Sequence, residues 1–357
     1  MIQDNELQQI EELIKKIVDD PKNSDNYLSL ASIYLKREEY DFAINVYESL
    51  LSFEPENFVA LTNIGSIYSC KNDFYNAINY YSRAVTLGVN NLSIFINLGN
   101  AFAEIGEFKQ AMSNYIKALN LDKNNYQVYS AIALLYQDYE NYDEAIRYYE
   151  KALKLCPNEP ENNINLAFIL MKKNRFNEAI ILFEKAINIM PNNVQFVLHC
   201  ANAYSAIKQF DRANQLFKQA LTESPNYYQA YLCFAISLFE QNNIDEAINY
   251  YKKAIDISSE SINAHLLLGN LYCSIQRYAE AIESYLKALE IEPANPNTYT
   301  LLGNTYVMIK DLRTAISMYK QAIDIDSEND ELKLIYIEII QEYINNDLDE
   351  DNDKHAA

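Results

Sequence analysis

The chain has no tryptophan, and only six glycines and eight prolines among its 357 residues. So few loop-forming residues leave little room for a turn-rich β fold or for several independent globular domains. Positive charge is also scarce. Lys and Arg number 29 against 50 Asp and Glu, a net charge of -21. Nucleic-acid binding needs clustered cations that release counterions from phosphate, so no nucleic-acid partner is expected. An anionic membrane surface is disfavoured on the same ground. No apolar run is long enough to span a bilayer, so no membrane partner is expected. Asp4, Glu6, Glu11 and Glu12 near the start are unlike a signal peptide, and a cytoplasmic location is expected.

The motifs of chemistry are missing as well. The five cysteines, Cys70, Cys156, Cys200, Cys233 and Cys273, form no CxxC pair. They read as small hydrophobes, not as a zinc or redox site. There is no phosphate-binding GxxxxGK[ST], no GxGxxG and no HExxH. His199, His265 and His355 are scattered. The expectation is a chain that is not an enzyme and holds no cofactor and no metal.

What the chain does have is a period. Ala43, Ala77, Ala111, Ala145, Ala179, Ala213, Ala247, Ala281 and Ala315 are each 34 residues apart. Nine units follow without an insertion: 24–57, 58–91, 92–125, 126–159, 160–193, 194–227, 228–261, 262–295 and 296–329. Numbering each unit from 1 to 34, position 8 is always Gly or Ala and position 20 is always Ala. Position 24 is always aromatic, as in Tyr47, Tyr81, Tyr115 and Phe183. Position 32 is Pro in five units: Pro55, Pro157, Pro191, Pro225 and Pro293.

Apolar positions 4, 7, 8 and 11, and then 20, 24 and 27, have helical spacing. The pattern predicts two antiparallel helices per unit. Small residues at 8 and 20 would let the helix backbones approach, with aromatics filling the gaps between pairs. Pro at position 32 suits the turn into the next unit. The expected fold class is all-α, an α-solenoid of antiparallel helix pairs with about 20 helices.

On these residues the chain resembles a tetratricopeptide repeat (TPR) array, whose period is 34. The family's usual Trp at position 4 is replaced by Leu61, Phe95, Tyr129, Tyr231 and Tyr299 in five units. Asn163 and His265 at that position depart further, and are expected to be exposed or hydrogen-bonded. The flanks are expected to seal the array: 1–23 as a capping helix, 330–345 as a second, and 346–357 as an acidic disordered tail.

The resemblance implies a superhelix whose first helices line a concave groove through positions 2, 5, 6, 9, 12 and 13. Of those 54 positions only seven are charged: Asp25, Lys36, Glu104, Asp138, Glu161, Lys172 and Glu240. The Lys and Arg that chaperone-binding members use to grip a C-terminal carboxylate are absent from positions 5, 6 and 9. Asparagine recurs instead: Asn63, Asn97 and Asn165 at position 6, and Asn100, Asn202, Asn270 and Asn304 at position 9. This partly resembles the asparagine ladder of O-linked N-acetylglucosaminyltransferase repeat arms, where amides hold a peptide backbone. The alternative is that Asn simply follows the family's own consensus in an Asn-rich chain. The later units add Leu232, Ile236, Phe239 and Leu266, either as an apolar peptide-binding strip or as ordinary packing between helices.

The expected function is a non-catalytic scaffold that binds peptide or helical segments of partner proteins in the groove. The alternative is the recruitment arm of a multi-chain enzyme such as a glycosyltransferase. Self-association through the apolar strip or the terminal helix is a third reading.

Overall fold

A computed structural model describes residues 2–88 and 90–356, with side chains described from 6 to 345 apart from 89. The described residues form 20 α-helices and no strand. They divide into two compact units, Met1–Lys173 and Asn174–Ala357. The first holds α1 (Ile2–Asp19), α2 (Ser24–Lys36), α3 (Tyr40–Phe53), α4 (Phe58–Cys70), α5 (Phe74–Thr86), α6 (Leu92–Glu104), α7 (Phe108–Leu121), α8 (Tyr126–Asp138), α9 (Tyr142–Leu155) and α10 (Pro160–Lys172). The second holds α11 (Phe176–Ile189), α12 (Val194–Ala206), α13 (Phe210–Glu223), α14 (Tyr228–Glu240), α15 (Ile244–Ile257), α16 (Ile262–Ser274), α17 (Tyr278–Ile291), α18 (Pro296–Met308), α19 (Leu312–Ile325) and α20 (Asp330–Ala356).

Within each unit the helices pair in sequence order: α2 with α3 through α8 with α9, and α12 with α13 through α18 with α19. Each pair then packs on the first helix of the next repeat. First helices also touch one another, α4 on α6, α6 on α8 and α12 on α14, and so make an inner layer. The pairing is antiparallel. In the first repeat, Tyr27 at position 4 meets Phe53 at position 30, while Tyr34 at position 11 stacks on Phe42 at position 19. The molecule is an α-solenoid, as its period predicts.

Helix starts are fixed by short polar side chains. Asn57, Asn91, Asn125, Asn193, Ser261 and Asn295 each accept backbone N–H bonds at the entrance of a first helix. The turn inside each repeat places position 15 in the left-handed region. Glu38, Asn72, Glu140, Asn174, Lys208, Asn242, Gln276 and Lys310 have φ between 56° and 62°, and Gly106 has 77°. The next residue's N–H then returns to the carbonyl at position 11, as from Asp73 to Tyr68 and Asn141 to Tyr136.

The small residue at position 8 has a more specific role than letting backbones approach. A β-carbon on Gly65, Gly99 or Gly269 would lie 2.5–2.7 Å from the ring of Tyr81, Tyr115 or Tyr285, each at position 24 of the same repeat. Position 8 is therefore the seat of an aromatic ring. The Ala at positions 20 and 27 of these pairs is fully buried, as at Ala77, Ala84, Ala111 and Ala118.

Position 4 follows a rule of its own. The hydroxyls of Tyr27, Tyr129 and Tyr231 donate to the carbonyls of Pro21, Lys123 and Pro225, six residues earlier. Asn163 Nδ2 donates to the Pro157 carbonyl and His265 Nε2 reaches that of Ser259, again six residues back. The two unusual residues do the tyrosine's work. Asn163 is wholly buried, not exposed, and its Oδ1 has no partner.

At the ends, α1 packs on α2 and α20 packs on α19. The helical backbone of α20 continues to Ala356, past the boundary at 345 and through residues expected to be disordered. No Gly or Pro interrupts 330–357. The side chains of 346–357 lie outside the described residues.

Candidate functional site

The inner surface is built by a simple register. In the unit Asn174–Ala357, α14, α16 and α18 are the first helices of three successive repeats. Together they line a hollow of about 390 Å³. Gln229, Leu232, Cys233 and Ile236 enter from α14, and Asn263, Leu266, Leu267 and Asn270 from α16. Asn297 and Leu301 close it from α18. These are positions 2, 5, 6 and 9 of their repeats, the positions the resemblance assigns to a groove. Helical geometry explains the set, because residues three and four apart share a face.

The floor is apolar and the rim is neutral amide. No lining residue is charged. Among α12, α14, α16 and α18 the one charged side chain is Glu240, at the end of α14. Leu232 is buried, Leu266 is half-buried, and Ile236 and Phe239 are each 37% exposed. Leu232, Ile236, Leu266 and Asn270 thus meet in one hollow. Phe239 is on the same helix but does not line it. A larger open cleft of about 1000 Å³ lies between turns 190–195 and 223–227. It is walled mainly by turn segments and takes from the groove positions Gln195 alone, so the inner hollow is the better candidate.

The recurrent asparagines have a role inside the fold. The hydroxyls of Tyr115, Tyr285 and Tyr319 donate to Oδ1 of Asn100, Asn270 and Asn304, at 2.8, 2.7 and 2.6 Å. Each pair joins position 24 to position 9 of one repeat. Ser66 replaces Asn for Tyr81. Position 6 does the same from the following repeat: Asn63 Nδ2 donates to the Tyr47 hydroxyl, and Asn165 bonds Tyr149. Asn202 Nδ2 instead contacts Cys233 Sγ, tying α12 to α14. Asn97 is half-buried on α6. Asn63, Asn97, Asn100 and Asn165 belong to the unit Met1–Lys173. Asn202, Asn270 and Asn304 belong to the other. The amide N–H donors of Asn100, Asn270 and Asn304 remain at an exposed surface, aligned by the tyrosine below.

Sequence reasoning missed these pairs because their partners lie 15 residues apart, a spacing that no single-helix rule covers.

The thiols are not poised for chemistry. Burial pushes Cys200 up to about 12, and also raises Cys233. Cys70 is exposed, unlike the small buried hydrophobe expected there. Among the described residues no His, Cys, Asp and Glu cluster could hold a metal, and no helix is long and apolar enough to cross a membrane.

Stacked helix hairpins with a repeated inner register define an α-solenoid of the kind that presents an extended surface to other proteins. The chain belongs to the tetratricopeptide repeat family. Models described as TPR repeat match residues 99–138, 235–276 and 269–310. Models described as tetratricopeptide repeat match 27–57, 59–87, 136–196, 174–231, 207–249 and 296–329.

Among solved structures, the C-terminal part of a TPR repeat-containing protein from Cytophaga hutchinsonii is similar, at 17% identity and a TM-score of 0.55. That match covers 68% of this chain and 99% of the other. YrrB, described as a TPR protein with an unusual peptide-binding site, is 22% identical with a TM-score of 0.46, covering 52% of this chain and 95% of its own. Yeast Tom70 is 14% identical with a TM-score of 0.48, covering 90% and 97%. Such likeness concerns the fold alone. No curated protein matches the chain significantly. As a member of this family the chain is a protein-interaction scaffold.

Proposed function

We propose that the chain is a non-catalytic scaffold that holds a peptide segment of a partner protein against its inner helices. The observation that carries this reading is the hollow formed by α14, α16 and α18. It is concave, apolar at its floor, and rimmed by the amides of Gln229, Asn263, Asn270 and Asn297. An apolar side chain gains about 25 cal/mol per Å² on entering such a floor. Neutral amides can bond the carbonyls and N–H groups of an extended backbone whatever its sequence.

The binding surface in this reading includes Leu232, Ile236, Leu266 and Asn270, with Phe239, Asn202 and Asn304 on neighbouring inner positions. The recruitment-arm reading drew on the recurrence of Asn. Tyrosine pairing now gives that recurrence a reason within the fold, so the recurrence no longer favours an enzyme partner.

The test is substitution on the exposed floor. Ile236→Lys together with Leu266→Lys is expected to abolish specific partner binding in co-precipitation from native lysate, with helix content by circular dichroism unchanged. Retention of every specific partner by the doubly substituted chain would show the hollow is not the site.

A further inference from the structure

Position 23 lies on the second helix of each repeat. In the second and fourth repeats it is a tyrosine whose ring stacks on the tyrosine at position 11. Tyr80 stacks on Tyr68 at 5.7 Å between centroids, and Tyr148 on Tyr136 at 5.6 Å. The Tyr80 hydroxyl also donates to Glu48, at position 25 of the preceding repeat. The third repeat stands between these two. It keeps a ring at position 11, Phe102, but has Asn114 at position 23. No ring stacks on Phe102 among the described residues. A hollow of about 590 Å³ opens there instead, within the unit Met1–Lys173. Leu98 and Phe102 line it from α6, and Ser82, at position 25 of the preceding repeat, lines it from α5.

Asn114 lines this hollow and is only 5% exposed. Its Nδ2 donates to the Gln110 carbonyl at 2.8 Å, while its Oδ1 is buried with no partner. An unmet buried acceptor is unfavourable, so an occupant that brings it a donor is favoured. The seat suits a ring that carries a donor.

Charge narrows the occupant further. Helices α5 and α7 carry Arg83, Lys109 and Lys117 and no acidic residue. Each of the other seven second helices carries at least one acid. Lys109 and Lys117 line the hollow, no acid does, and neither lysine has a carboxylate partner among the described residues. The chain as a whole has a net charge of -21. Exposed charges farther apart than about 8 Å are largely screened at physiological salt, so the two lysines set the local preference. They attract an acidic segment.

We propose that this outer hollow binds an acidic segment of a partner protein through one tyrosine. Its ring takes the place that Tyr80 and Tyr148 fill in the flanking repeats, stacked on Phe102 with the hydroxyl toward Ser82 and Asn114. Carboxylates of the segment pair with Lys109 and Lys117. This site is separate from the inner hollow of α14, α16 and α18 and does not depend on it.

The experiment uses the full chain and fluorescein-labelled nonapeptides Asp-Glu-Ala-Ala-X-Ala-Ala-Glu-Asp, with X as Tyr, Phe or Leu, and Lys-Lys-Ala-Ala-Tyr-Ala-Ala-Lys-Lys. Anisotropy titration is expected to place Tyr about tenfold above Leu, with Phe between them. The lysine-flanked peptide is expected to bind weakest. Asn114→Tyr gives the third repeat the ring its neighbours have. It is expected to bring the Tyr peptide down to Leu without lowering the melting temperature. Lys109→Glu together with Lys117→Glu changes only exposed side chains, and is expected to weaken the Tyr peptide by about tenfold or more.

If Tyr binds no better than Leu, there is no ring seat and the inference falls. If Phe equals Tyr, the tyrosine assignment is wrong. If Asn114→Tyr leaves the ranking intact, or lowers the melting temperature, the hollow is not that seat. If the lysine-flanked peptide matches the acidic one, or the double charge reversal changes nothing, the stated partner chemistry is wrong. Binding by none of the peptides overturns the proposal outright. Each of these results leaves the reading of the inner hollow standing.

Discussion

A single β-carbon at position 99 measures how closely the repeat is fitted. Placed on Gly99, it would lie 2.5 Å from Cε1 of Tyr115, a ring that is itself buried and held at its hydroxyl by Asn100. The ring cannot withdraw without giving up that bond. Gly99→Ala is therefore expected to cost about 1–3 kcal/mol, read as a lower urea midpoint. An unchanged midpoint would mean the ring relaxes freely. This residue-scale logic was half legible in the sequence. The invariant small residue and the invariant aromatic were plain, but they lie 16 positions apart, and only the folded pair shows that one makes room for the other. The same limit hid the asparagines' role. Their recurrence was visible, and the tyrosine hydroxyls that Asn63, Asn100, Asn165, Asn270 and Asn304 serve were not, because each sits on another helix.

At the scale of the element, helices were the most legible feature and the turns the least. The apolar spacing and the position-32 prolines fell where the folded helices begin and end, whereas the Asn and Ser caps emerged only with the fold. The turn at position 15 carried no such signal. Only Gly106 holds that place with a glycine, and the eight other repeats put a side-chain-bearing residue at positive φ. Each such residue pays for a left-handed conformation with its β-carbon, and only glycine escapes. Glu140→Gly is expected to stabilise the chain by about 0.5–1 kcal/mol, seen as a higher melting temperature. A fall in melting temperature would mean that the flexibility gained by the unfolded chain outweighs the strain relieved. The candidate site sits at this scale too. Its positions followed from the repeat register. That three of the first helices form a distinct hollow without charge required knowing which helices stand side by side.

For the whole molecule, the tyrosines couple stability to pH. Burial is the largest cause raising the pKa of Tyr47, Tyr115, Tyr149, Tyr251, Tyr285 and Tyr319 above the ordinary value of 10.0. In the unfolded chain these phenols ionise near pH 10.0, while the folded chain keeps their protons. Above that pH the folded state holds more protons than the unfolded, so stability falls as pH rises. Below it the contribution is fully present. Tyrosinate absorbance is expected to rise in two stages, exposed phenols first and the buried set together with the loss of helical circular dichroism. A buried set that ionises while the helices persist would contradict this coupling.

The recurring left-handed residue also constrains how such a chain can change through descent. Each turn hands the chain on in the same orientation, so deleting or duplicating a block of 34 residues leaves every surviving residue with the kind of neighbour it had before. An insertion of one residue within a helix would rotate all that follows by about 100°, turning the ring-seating face to water. Gene duplication in whole modules is the cheap route to a longer or shorter protein here, and single-codon insertions inside helices are expected to be purged.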